Sequence, residues 1–551
     1  MDAIKHPINH KNQPVDLKTL SLGLSLSGGG YRAAAFHLGT LAYLHRVGLL
    51  SQLRTISTVS GGTFTGMAYI LSLVKGKSFP EFFQDYYAFL RDRNLISLGL
   101  ETLKQGKIQV PSGRHNLILA MAQVYAETLL SDLDGQPYTL GTILKANIPV
   151  PEVVFNTTEF RHGVAFRFQR SGNPKARIGN RHLAVPKGEA AKIRLADILA
   201  ASSCFPGGFE PIAFPDDFVW PQNQVPQAVH EAVYAPPVEA PIALMDGGIF
   251  DNQGATSLVL ADERNPEDLG LVIISDVDER KPDLFAYPRE NSQQGRSLLG
   301  RLTLGQVDWL LRIFIVACFL TVGSVGFEFW QKLQREGFVL WPDLFTSIIP
   351  LLLALFALVS LWGGRQLIRN NLLPRIPQEG RRGWQALRQL TIDQFLYLLE
   401  LRLKSLLALT SSVFMRRIRG LVLNRIYGDW HYRGKGIANF IYELATGHQQ
   451  RFDKLPGVDA PSPQLQKILD DACHMPTTLW FDTAEQLSTV VVAGQATICF
   501  NLMDYIVKTY GKEVANYPPK INEFWWELAR DWQGMNEKPY GLLEKLFSTS
   551  A

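Results

Sequence analysis

The chain has 551 residues, 46% hydrophobic and 19% charged, which excludes a disordered protein and is too long for one ordinary core, so two or three structural units are expected. The net charge of +4 is small for this length and gives no reason to expect a nucleic-acid partner. The four cysteines, Cys204, Cys318, Cys473 and Cys499, form no C-x-x-C pair, so no zinc pattern or disulfide framework is expected and a reducing compartment is the simpler setting.

The first residues, MDAIKHPINHKNQPVD, are polar and lack the apolar core of a secretory signal, which places the first half of the chain in the cytosol as an expectation. Residues 19–27 (TLSLGLSLS) read as a short buried strand, followed by a glycine run and a small-residue helix, AAAFHLGTLAYLHRVGLL. A second apolar stretch, 53–59, ends at Ser60-Gly61-Gly62-Thr63, and the helix GMAYILSLVKG follows. Strand, tight turn and helix thus occur twice, the pattern of an α/β sheet. VPEVVFNTTEF, PIALMD (241–246) and LGLVIISD (269–276) read as further strands, and the proline-rich stretch 214–241 as a surface loop.

Two apolar runs come next, each bounded by tryptophans 21 positions apart: Trp309 to Trp330 and Trp341 to Trp362. Along a helix that spacing is about 31 Å, the thickness of a bilayer core, with aromatic residues at both interfaces. Arg312, Glu328 and Asp343 are the only charged residues within these limits, and each lies within a turn of an end. The short link QKLQREGFVL predicts an antiparallel transmembrane hairpin. Basic helical pattern then runs from Thr391 to Tyr442; in FMRRIRGLVLNRIYGDW, Arg416, Arg417, Arg419 and Arg425 flank an apolar stripe suited either to an anionic membrane surface or to a core with a solvated basic edge. The expected organisation is a catalytic part over 1–290, an insertion with the hairpin over 291–382, and a segment over 383–551 that can complete the catalytic part.

The glycine run carries chemistry. Gly28, Gly29 and Gly30 followed by Arg32, directly after a strand, can turn sharply and aim consecutive N–H groups at one anion, reinforced by the positive end of the helix that starts there. Neither G-x-G-x-x-G nor a Walker G-K-[ST] fits, so dinucleotide and P-loop readings fail. In Thr58-Val59-Ser60-Gly61-Gly62 a serine stands at a strand-to-helix corner, the nucleophile-elbow pattern with Thr58 in place of the first glycine. An oxyanion-type loop and an elbow supply complementary parts of acyl transfer. A base is also needed, and Asp246 stands at the end of PIALM before Gly247-Gly248. His37 competes for that role but reads as a structural residue beneath the glycine loop, and His162 and His182 have no evident partners.

Together these pieces resemble the patatin-like phospholipase family. Gly28-Gly29-Gly30-Tyr31-Arg32-Ala33 is similar to its G-G-G-x-R-[GA] loop, Ser60 centres its G-x-S-x-G elbow, and Asp246-Gly247-Gly248 matches its D-G-[GA] motif. Ala201-Ser202-Ser203-Cys204-Phe205-Pro206 resembles its A-S-x-A-x-P block and FNTTEF its N-x-T-D strand, all in order over roughly residues 20–280. The resemblance implies an α/β fold and a Ser60–Asp246 dyad. It implies an oxyanion hole from Gly28, Gly29, Gly30 and Gly61, support from Arg32, Gly62, Gly247 and Gly248, and neither metal nor cofactor. The expected substrate is a membrane phospholipid or lysophospholipid, met from the cytoplasmic side. Hydrolase, acyltransferase and thioesterase share such a site, and an idle membrane scaffold is the alternative from another class.

Overall fold

The apolar runs become strands of one eight-stranded sheet: β1 Leu22–Leu26, β2 Leu53–Val59, β3 Glu152–Glu159, β4 Val164–Arg170, β5 Ile212–Phe214, β6 Ile242–Asp246, β7 Leu271–Asp276 and β8 Gly436–Phe440. The structure is a computed structural model that describes residues 16–235, 240–265, 269–277, 300–335, 388–409 and 413–548, apart from residues 430, 433 and 448, with isolated positions between 349 and 366. The chain divides into two units, one made of Met1–Pro282 with Phe414–Ala551, the other of Asp283–Val413.

In the first unit the hydrogen-bonded pairs follow the order β5-β6-β3-β2-β1-β7-β8, with β4 also on β3. The run from β3 through β2, β1 and β7 to β8 is parallel; β4 and β6 are antiparallel to β3, and β5 to β6. Parallel strands covered on both faces are apolar throughout, and β1 and β7 are buried at every residue. The two predicted helices are α1, Gly30–Arg46, and α2, Gly61–Val74. Helix α1 is buried from Tyr31 to Leu44, so it is enclosed on all sides.

Two sequence expectations are corrected, and a third that was open is decided in part. The proline-rich stretch after Phe214 is not loop throughout: Gln227–Tyr234 is a helix that buries Val229 and Val233, begun after Pro226, whose fixed φ suits a helix start. The helical pattern expected up to Tyr442 ends earlier, because residues 436–440 pair in parallel with β7 as β8. The arginine-rich segment, for which both a membrane surface and a core packing were open, is a helix, Phe414–Gly428, that packs inward by part of its apolar side: Ile426 is buried and Val422 and Leu423 lie against the cluster that holds it, while Phe414 and Leu421 are exposed. Arg419 turns inward, its Nε 3.5 Å from Asp276 Oδ2, while Arg417 and Arg425 stay exposed.

In the second unit, the helix Leu304–Arg335 contains the first expected span and leaves Trp309, Phe314, Phe319, Leu320 and Trp330 exposed. A second helix, Ile392–Ala408, starts at a capping box between Thr391 and Gln394. The second expected span, 341–362, lies for the most part outside the described residues.

Candidate active site

Strand register brings the serine and the aspartate together. On one side of β3 runs β4, facing both Asn156 and Thr157. On the other side Val59, the last residue of β2, pairs with Asn156, and Asp246, the last residue of β6, pairs with Thr157. A residue has one neighbour on each side in a sheet, so β2 and β6 share that edge of β3 and meet end to end. Ser60 leaves the sheet at the point where Asp246 arrives.

Ser60 has φ 48° and ψ −117°, a backbone conformation that costs an L-residue on the order of 1–3 kcal/mol and persists only where the surroundings enforce it. Its N–H is held by Ser202 Oγ at 3.1 Å, and its carbonyl accepts from Thr63 N at 2.8 Å. Gly61 faces the other glycine loop so closely that a Cβ there would fall 2.3 Å from the Gly30 carbonyl oxygen. Gly62 donates its N–H to the Ser27 carbonyl at 3.0 Å, which ties the elbow to the end of β1. The turn thus needs small residues after the serine because two backbones meet there.

Ser60 and Asp246 are both buried, the one leaving the end of β2 and the other ending β6 beside neighbouring residues of β3. Burial raises the Asp246 carboxyl to about 6, against the opposing effect of hydrogen bonds from Gly248 N–H and from Ser60. The Gly248 N–H lies 2.7 Å from Asp246 Oδ1, and the Asp246 backbone is fixed by Cys204 O at 2.9 Å and by Thr158 Oγ1 at 2.8 Å. Gly247 donates to Ser202 O at 3.4 Å and packs on the Asn156 carbonyl.

The expected oxyanion glycines separate on inspection. Gly28 donates its N–H to the Asn252 carbonyl at 3.0 Å, so it is not a free donor and that expectation is corrected. Gly29 and Gly30 take positive φ, 142° and 58°. Gly30 and Gly61 are the first residues of α1 and α2, where a helix leaves its N–H groups without an internal acceptor. No hydrogen bond occupies the N–H of Gly29, Gly30 or Gly61 among the described residues. Arg32 is buried and holds the carbonyls of Met475 at 2.8 Å, Val277 at 3.1 Å and Cys473 at 3.4 Å. Tyr31 N–H adds a bond to Thr478 O at 2.8 Å, so residues 473–478 brace the glycine loop from far along the chain.

His37 is buried, bonded to Ser275 Oγ and Ser27 O at 3.0 Å each, and burial lowers it to about 4, so it stays neutral beneath the loop. His162, for which the sequence offered no partner, contacts Glu159 at 2.8 Å, and its ring lies 5.3 Å from that of His182. Sequence reasoning passed over Asn252 and quoted Thr63, Asn156 and Ser202 without giving them a role. The FNTTEF strand and the Ala201–Pro206 block were the signals that could have found Asn156 and Ser202.

Residues 24–259 match the family described as Patatin-like phospholipase. The chain carries a patatin-like phospholipase domain. Similar solved structures include human GIVD cytosolic phospholipase A2, at 14% identity over 46% of this chain and 42% of that one, with a TM-score of 0.31. The same human enzyme in complex with methyl gamma-linolenyl fluorophosphonate gives 16% identity over 47% and 40%, with a TM-score of 0.28. VipD from Legionella pneumophila gives 12% identity over 94% and 91%, with a TM-score of 0.22. The chain therefore spans about two fifths of the length of the human phospholipase it matches. No curated protein matches.

Proposed function

We propose that the patatin-like phospholipase domain hydrolyses a carboxylic ester of a membrane phospholipid or lysophospholipid through Ser60 and Asp246. The observation that carries the reading is the strand register that brings buried Asp246 to the point where buried Ser60 leaves β2, at a corner where Ser60 holds φ 48°. Ser60 Oγ attacks the acyl carbonyl while its proton passes to Asp246. The N–H groups of Gly29, Gly30 and Gly61 receive the oxyanion. Collapse of the tetrahedral intermediate expels the alcohol, which takes the proton from Asp246. A water then repeats the sequence on the acyl-Ser60 ester: Asp246 accepts its proton, the fatty acid leaves, and the proton returns to Ser60. A base of pKa about 6 is ionised at neutral pH yet strong enough to accept the serine proton as the bond forms.

The same proposal makes Leu304–Arg335 the first arm of a membrane hairpin and 341–362 the second. Its support is the long exposed apolar surface of the first helix and the placement of arginines: Arg296, Arg301 and Arg312 before or at its start, and Arg365, Arg369, Arg375, Arg381 and Arg382 after the second span, against Lys332 and Arg335 between. That asymmetry supports a cytoplasmic location for both flanks of the hairpin, and so for the ester site, with an anionic lipid surface as its partner. With Val422, Leu423 and Ile426 of Phe414–Gly428 packed inward, Arg417 and Arg425 would supply an exposed basic edge there, beside the exposed Phe414 and Leu421.

The test is labelling by a fluorophosphonate together with lipid mass spectrometry. Wild-type protein should label and deplete an acyl lipid while releasing fatty acid. Ser60→Ala and Asp246→Asn should each lose at least about a thousandfold in turnover, with little further loss in the double variant. Turnover by Ser60→Ala near the wild-type rate would remove the assignment.

A further inference from the structure

The family pattern has a glycine two residues before the nucleophile, and this chain has Thr58. Thr58 is buried and its methyl points at Gly66 of α2, where a Cβ would lie 2.4 Å from Thr58 Cγ2. A glycine one turn into the helix therefore makes the room that the threonine needs. The hydroxyl has a partner as well: Thr58 Oγ1 is 3.0 Å from Thr63 Oγ1, which is 2.8 Å from Ser202 Oγ. Ser202 Oγ in turn meets Ser60 N at 3.1 Å and Asn156 O at 2.7 Å.

The direction of every bond in this chain is forced. A carbonyl only accepts and a backbone N–H only donates, so the single Ser202 hydrogen goes to Asn156 O and a lone pair takes the Ser60 N–H. Ser202 then has nothing left to give Thr63, so Thr63 donates to Ser202. Thr63, its hydrogen spent, accepts from Thr58. The competing acceptor for Thr58, Val154 O, is farther away at 3.5 Å. Donation thus runs from Thr58 through Thr63 and Ser202 to the Asn156 carbonyl, and the N–H of the strained serine donates into the same Ser202 oxygen.

We infer that Thr58 is a positioning residue for the reaction: through Thr63 and Ser202 it fixes the Ser60 backbone, and so the Ser60 hydroxyl, against Asp246. The threonine is then a working substitute for the family's glycine, with Gly66 as its compensation, and restoring glycine weakens catalysis. The inference rests on the proposed Ser60–Asp246 chemistry. It also has a signature beyond rate. The Ser60 hydroxyl opposes the burial that raises the Asp246 carboxyl. An elbow that relaxes and withdraws the hydroxyl lets that carboxyl rise further, so the acid limb of kcat/KM moves to higher pH.

The experiment uses the full-length protein, a soluble short-chain ester and a fluorophosphonate, with rates normalised to folded protein. Thr58→Val removes the hydroxyl and keeps the shape. It should lower kcat and the labelling rate about tenfold with KM unchanged, the loss of about one hydrogen bond's worth of alignment. The acid limb should shift upward. Thr58→Gly should behave alike, and Thr58→Ser should recover most of the rate. Ser202→Ala cuts the same line nearer the nucleophile, so adding Thr58→Val to it should cost little more. Wild-type rate and pH profile in a folded Thr58→Val, or losses that multiply in the double variant, would overturn the inference alone. No labelling of wild-type Ser60 would overturn the ester chemistry and this inference with it.

Discussion

Among the described residues two helices are long and apolar enough to cross a membrane, Leu304–Arg335 and Ala484–Tyr510, and their surroundings are opposite. The first is largely exposed, with Cys318 its one buried residue. The second is buried along most of its length and crosses α1 at very short range. A Cβ on Gly494 would fall 2.2 Å from the Phe36 carbonyl oxygen, and one on Gly39 would fall 2.0 Å from the Val491 carbonyl oxygen. Each helix has a glycine where the other's backbone passes. The buried helix also places its polar groups: Asn501 donates to Glu443 at 2.6 Å and to Asn439 at 3.2 Å. Apolar length alone states that a helix needs a non-aqueous environment. Close-approach glycines and paired polar residues show that Ala484–Tyr510 finds that environment inside its own domain.

The largest expected effect breaks the comparison at its contact. Gly494→Leu must push α1 and its partner apart, and should cost several kcal/mol, at least about 3, with loss of folded protein and of fluorophosphonate labelling. Gly323→Leu, on the exposed helix with nothing within 4 Å of its Cβ position, should leave labelling of the catalytic unit unchanged. A thermal melt of both variants separates them; equal losses would show that the exposed helix is as tightly packed as the buried one.

A smaller effect applies the same contrast of surroundings to a single charge. Asp246 is ionised in a buried place, with its folded pKa raised to about 6 from 3.8. Folded protein then binds more protons than unfolded protein between those values, so this group lowers stability as pH rises through the interval and the full penalty stands above about 6. Asp246→Asn should therefore be more stable than wild type at pH 8, by on the order of 1–3 kcal/mol, and the difference should shrink towards pH 4. Denaturant midpoints at the two pH values measure it. A variant equally stabilised at both would place the effect elsewhere.

The last prediction changes no stability and sharpens what surrounds the exposed helix. A cysteine at Gln334, near its end, should react with an impermeant maleimide on intact cells, and one at Gln378 should not. The reverse pattern would invert the orientation, and silence at both would mean that the helix is covered by protein or dips into a single leaflet.

The local parts were written in the residues themselves. Continuous apolar runs gave β1, β2, β3, β6 and β7, and glycine turns gave the starts of α1 and α2, because strand patterning and turn sterics act over a few residues. Ser60, Asp246 and the glycine loop were legible for the same reason: each stands at such a local turn. How they meet depends on packing between distant segments. The shared edge of β3, which puts Val59 and Asp246 on neighbouring residues, is a register between segments far apart in the chain. The commitment of Gly28 to Asn252, the brace from residues 473–478 and the line from Thr58 to Ser202 are likewise contacts across long sequence separations. The short β8 and the fate of Ala484–Tyr510 had no local mark, since a five-residue strand and an apolar helix take their identity from the surface they pack on. Local chemistry fixes which conformations a segment can adopt; which groups become partners depends on the single packing that satisfies all segments at once.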